Sequence, residues 1–201
     1  MKIPSIKKAP AYLFILLVYI GIPLSILAGV IDFNYKFHAL TIGAIIVYIF
    51  CRLMGFTHKD LGITLAGARK SIMYVLPVTG VLAVAGVVVW LAGFSRITPN
   101  ENWYFFIFYI FISSPFQEFL YRGALEALME REKYKYAAKL IVSSLLYSFV
   151  HVIYRDWLTL ALTFAIGLIW YYCYEKKKSL VGVSVSHAVL GIVTIVAGII
   201  D

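Results

Sequence analysis

WYFFIFYIFISSPFQEFLYRGAL, residues 103–125, decides the fold. The stretch runs 23 residues with two charges, Glu118 and Arg122, four positions apart. A helix rises about 1.5 Å per residue, so this one reaches about 34 Å and spans a hydrocarbon core about 30 Å thick. A surface helix of a soluble domain keeps one polar face. This stretch keeps none, apart from the pair and its neighbours Ser113, Ser114 and Gln117.

Six further apolar stretches surround it, at 11–30, 37–54, 71–94, 137–154, 157–174 and 179–200. The whole chain of 201 residues is 62% hydrophobic and 14% charged, with a mean hydropathy of +0.89. Soluble domains sit near about 45–50% apolar and about 25% charged. The expected fold is all-α: a polytopic membrane helix bundle of about seven transmembrane helices, with residues 1–201 as a single integral membrane domain. The basic MKIPSIKKAP start resembles a signal peptide, but stretch 11–30 exceeds a typical signal core and is expected to stay as the first span. The two cysteines, Cys51 and Cys173, end separate apolar stretches, and no disulfide or structural metal site is expected.

A net charge of +8 would suit nucleic acid, but these charges sit in short loops between spans. Lys2, Lys7, Lys8, Arg52, Lys59, Arg69, Lys70, Arg131, Lys133, Lys135, Lys139 and Lys176–Lys178 fall on one side. Lys36, Arg96 and Arg155, with Asp32, Glu101 and Asp156, fall on the other. Cationic loops stay in the cytoplasm. The expectation is a multi-pass protein of the cell (inner or plasma) membrane, with the N-terminus cytoplasmic and the C-terminus outside. Its partners are then the lipid bilayer and a membrane-associated peptide or protein, with no nucleic acid; the oligomeric state is left open.

Ionisable side chains within spans are expensive and mark function or buried pairs. Glu118 and Arg122 lie in the fourth span, His151 late in the fifth and His187 in the first half of the seventh. Counting about 1.5 Å per residue from the basic ends puts His187 about 12 Å deep, His151 about 18 Å and Glu118 about 20 Å. The three depths are compatible with one site. Tyr147 stands one turn before His151, with Ser143 and Ser144 a further turn back, a stripe suited to fixing the imidazole tautomer. One carboxylate and two imidazoles serve two chemistries. They hold a zinc with an open water position, or the carboxylate and one His polarise water while the other His stabilises an oxyanion.

QEFLYRG, YSFVH and SVSHAVLG resemble the three motifs of the CPBP family of glutamic-type intramembrane proteases, the Abi or CAAX-protease family. The family pattern is E-E-x-x-x-R, then F-x-x-x-H, then H-x-x-x-N. KDLGIT at 59–64 resembles a loop common in that family. The likeness covers about 59–191, and spans 11–54 carry little of it. It implies an intramembrane endopeptidase acting on a peptide leader, tail or sorting signal by Glu/His water activation. It also implies His151 on the water, His187 at the oxyanion, Arg122 as supporting cation, and no required cofactor, with zinc as the alternative. Gln117 stands where the family has its first Glu, Gly191 where it has the Asn that the resemblance implies shares the oxyanion with the last His, and Tyr147 where it has Phe. With Gln117 an amide, Glu118 is expected to be the base and Gln117 to orient the water or the substrate carbonyl. Tyr147 and Gly191 are supporting positions. The alternative is a catalytically inactive scaffold or immunity protein that binds hydrophobic segments.

Overall fold

The computed structural model describes residues 13–14 and 17–200. Among them every regular element is helical, and seven helices follow in order. They are α1 (Leu17–Leu27), α2 (Phe33–Leu53), α3 (Ala68–Leu91), α4 (103–131), α5 (Tyr136–Tyr154), α6 (Trp157–Lys177) and α7 (Leu180–Val196). Helices α2, α3, α5 and α6 are each long and apolar enough to cross a membrane, and α1 and α7 are shorter apolar helices. The chain is a multi-pass membrane bundle. Parts of the first expected span, residues 11–12 and 15–16, lie outside the described residues, as does MKIPSIKKAP.

Helix α4 is the spine. Residues 117 to 129 are buried without exception, the mark of a helix enclosed on all sides. It touches α2, α5 and α7, while α3 packs along α7 and α5 along α6. The expected end at 125 falls short, because the helix continues to Arg131. LEALMER is made of strong helix formers, and its acids are tied down. Glu126 Oε1 accepts from Lys139 Nζ at 3.1 Å and Lys178 Nζ at 2.6 Å. Lys139 also pairs with Glu130.

The basic loops meet at this end. Asp60 Oδ2 accepts from the Thr57 amide and hydroxyl, each at 2.7 Å, closing a tight turn. Gly62 follows at φ +68°, a backbone state natural to glycine. Its carbonyl accepts from the Leu180 amide at 3.0 Å, so KDLGIT docks on the α6–α7 turn. The Gly123 position lets that loop reach the spine: a Cβ there would stand 2.7 Å from the Leu61 carbonyl oxygen.

The opposite end closes around Arg96. Its guanidinium donates to Asp156 Oδ1 at 2.9 Å and to the Ile199 carbonyl at 3.1 Å. The Arg96 and Ile97 amides donate to the Gly198 carbonyl at 2.8 and 3.1 Å. Asp156 also caps α6, accepting from the Thr159 amide at 3.0 Å. The Arg96 hydrogen bond, then that of Thr159, holds the Asp156 carboxyl well below the ordinary value of 3.8. A lowered folded value stabilises the fold above the unfolded pKa and is lost as pH falls through the folded one. Amide exchange at Arg96 and Ile97, corrected for the intrinsic rate, should stay protected down to the ordinary carboxylate range and rise only below it. Asp156→Asn should remove this acid-dependent rise.

Candidate active site

Pro115 sits inside α4, where a missing N–H and a bulky ring normally break a helix. The chain passes it by widening. A π segment, Tyr109–Ser113, precedes it, and a second, Phe119–Ala124, follows Glu118. Such widened turns shift which residues share a face and recur at functional sites.

Glu118 and Arg122 are both fully buried. Arg122 Nη1 donates to Glu118 Oε1 at 3.2 Å, and Nη2 donates to the Gly167 carbonyl at 3.2 Å. The guanidinium lies 4.3 Å from the Tyr147 ring centre, within cation–π range. Glu118 Oε1 also meets His187 Nδ1 at 2.7 Å. A carboxylate oxygen accepts, so Nδ1 carries the hydrogen of that bond. His187 Nε2 then lies 3.4 Å from the Tyr147 hydroxyl. Trp170 stacks on the His187 ring, with centroids 4.6 Å apart and planes at 22°. Trp170 Nε1 donates to Ser186 Oγ at 2.8 Å, and Ser186 Oγ contacts Thr79 Oγ1 at 2.6 Å, which ties the stack to α3.

His151 stands where α5 tightens into a 3₁₀ turn, Val150–Tyr154. Its Nδ1 donates to the Tyr147 backbone carbonyl at 2.9 Å. That bond leaves Nε2 as the lone-pair nitrogen. The two imidazoles flank one ring, with His151 and His187 centroids 5.1 and 5.6 Å from that of Tyr147. Both line a cavity of about 330 Å³, together with Tyr109, Tyr147, Trp170 and Gly191. Glu118, Arg122 and Gln117 lie behind that wall and do not line it. Gln117 Nε2 donates to Ser113 Oγ at 3.0 Å. Gln117 Oε1 and Glu118 Oε2 are buried and take no protein hydrogen bond.

The structure therefore joins Glu118, Arg122, Tyr147 and His187 directly, and joins His151 to them through Tyr147. One local expectation is corrected. The serine stripe does not hold the imidazole, because Ser143 donates to the Tyr121 carbonyl and Ser144 to the Leu140 carbonyl, each at 2.8 Å. His151 is oriented by the backbone of Tyr147 instead, while the Tyr147 hydroxyl turns to His187. Among the described residues no three of His, Cys, Asp or Glu converge on one point, and Glu118 Oε1 is already engaged by a cation and an imidazole.

Tyr109 and Trp170 escaped the sequence reading, because they sit in the aromatic runs WYFFIFYIF and WYYCY, which read as packing. The available signal was Gly191, since a missing side chain marks a close approach by something else.

Residues 99–193 match a family model described as type II CAAX prenyl endopeptidase Rce1-like. The match spans every expected site residue from Gln117 to Gly191 and leaves the 59–64 loop outside. No curated protein and no solved structure matches the chain.

Proposed function

We propose that this chain, whose residues 99–193 match a family model described as type II CAAX prenyl endopeptidase Rce1-like, is an intramembrane endopeptidase that hydrolyses a peptide bond in a membrane-associated protein or peptide. The bond it cuts lies in a leader, tail or sorting signal of that substrate. The observation that carries this reading is one cavity lined by two imidazoles, each held through its Nδ1.

The roles follow from the nitrogens. His151 lines the cavity and its Nε2 keeps a lone pair, so His151 takes the proton from the attacking water. As water oxygen bonds to the carbonyl carbon, the carbonyl electron pair moves onto oxygen. His187 donates to that oxyanion from Nε2. His187 enters the step already carrying a hydrogen on each nitrogen, as the imidazolium, and the Glu118 carboxylate at 2.7 Å is its counter-charge. The tetrahedral species then expels the amine, which takes the proton back from His151. Glu118 thus acts through His187 in place of touching the water itself. Arg122 fixes the Glu118 carboxylate, and Gln117 braces the helix through Ser113.

The site serves a single membrane domain, with the Lys59, Arg131 and Lys178 end in the cytoplasm and the Arg96 end outside. A second reading, a retired protease that binds hydrophobic segments, is favoured by Gln117 at the family's first Glu position. Protein termini compared between host membranes carrying wild type and His151→Ala at equal abundance separate the two. A terminus that vanishes in the variant, and returns with purified wild type, supports the protease. Identical termini with a folded variant support the binder.

A further inference from the structure

Resting on the protease reading, the oxyanion has one donor in His187, and Gly191 gives nothing where the family pattern has Asn. The surroundings of Gly191 are informative. A Cβ built there would lie 2.0 Å from Tyr109 Oη, 2.5 Å from Cζ and 2.6 Å from Cε1. Side chains do not approach that closely, so residue 191 carries no side chain of any kind while Tyr109 is in place. The Tyr109 hydroxyl instead stands where an Asn side chain would leave α7.

Three further observations place the Tyr109 ring beside the chemistry, where its hydroxyl also meets the Ser114 side chain. Tyr109 lines the same cavity as His151, His187 and Gly191. Its ring meets the His187 ring edge-on, with centroids 5.9 Å apart at 72°. It is held from behind by Phe105, with centroids 5.7 Å apart and planes at 19°. Tyr109 opens the first π segment of α4, so the widened turn that carries the chain past Pro115 also delivers the phenol to α7.

We infer that Tyr109 is a catalytic residue that replaces the missing Asn, its phenolic O–H being the second oxyanion donor beside His187. When water attacks, the new C–O bond forms, the carbonyl pair moves to oxygen and the water proton goes to His151. The oxyanion then accepts from His187 Nε2 and Tyr109 Oη, and Tyr109 keeps its proton throughout. A phenol anchored on α4 supplies, across the helix interface, what a side chain on α7 supplies in the family pattern.

The test uses the full-length protein in liposomes and a peptide spanning the bond found by the terminus comparison. Tyr109→Phe keeps the ring and its packing and removes only the donor. Loss of one oxyanion donor costs about 10²–10³ in kcat, so that fall is expected, with KM and the unfolding midpoint unchanged. Gly191→Asn alone should be inactive by collision with Tyr109. In the Tyr109→Ala background, Gly191→Asn should raise kcat by about tenfold or more, since a returned donor recovers part of that factor. Wild-type kcat in Tyr109→Phe, a change in KM alone, or no rescue in the paired swap overturns the inference while the protease reading stands. Failure of the wild type to cleave any terminus removes the protease reading and this inference with it.

Discussion

Glu118→Gln is expected to lower kcat by about 10²–10⁴-fold, the range for losing acid–base support, with the helices intact. The amide has the same shape, and its oxygen still accepts from Arg122 and from His187 Nδ1. Only the negative charge is lost. The charge matters because His187 donates from both nitrogens as a cation. A carboxylate at 2.7 Å steadies that cation and a neutral amide does not. In Ser-His-Asp sites the same exchange costs about 10⁴ in turnover through the tautomer and charge of the imidazole. The assay is kcat on the identified peptide, below the unfolding midpoint of both proteins. Turnover equal to wild type would remove Glu118 from the mechanism.

Arg122→Leu should produce the largest loss of stability. The guanidinium and its partner Glu118 are both fully buried, and removing one member strands the other charge, at a cost of about 3–5 kcal/mol. The change also removes the bond to the Gly167 carbonyl and the contact with Tyr147. Replacing both charges, as Arg122→Leu with Glu118→Leu, should give a protein more stable than the single variant, because no lone charge remains buried. It should also be inactive, because His187 Nδ1 then has no acceptor. Denaturant midpoints in detergent, compared across the two singles and the double, measure the coupling. A double variant no more stable than Arg122→Leu would show that the pair is not the origin of the cost.

The helices were legible in the sequence because membrane spans have one dominant signal, length of apolar run. Stretch 71–94 became Ala68–Leu91 and 157–174 became Trp157–Lys177. The end of α4 was missed because Glu126 and Glu130 look like loop charges until Lys139 and Lys178 arrive from other helices. The site was legible as a set of residue types but not as a set of contacts. Nothing local says that His151 is oriented by the backbone of Tyr147, or that the Tyr147 hydroxyl crosses to His187. Tyr109 and Gly191 lie far apart in the chain, and only packing of α4 against α7 shows that one fills the space the other lacks.

A π turn holds one residue more than the α turn it replaces. The orientation of Glu118 is therefore fixed by a count as much as by chemistry. Winding Phe119–Ala124 back to ordinary pitch with all its residues kept would swing everything before it by about 100°. The carboxylate would then face away from α7 with every site side chain still encoded. In this protein the extra residue of the widened turn is itself a functional element, one that a relative with an ordinary turn would lack. Aligned sequences should be read there for gaps before they are read for identities.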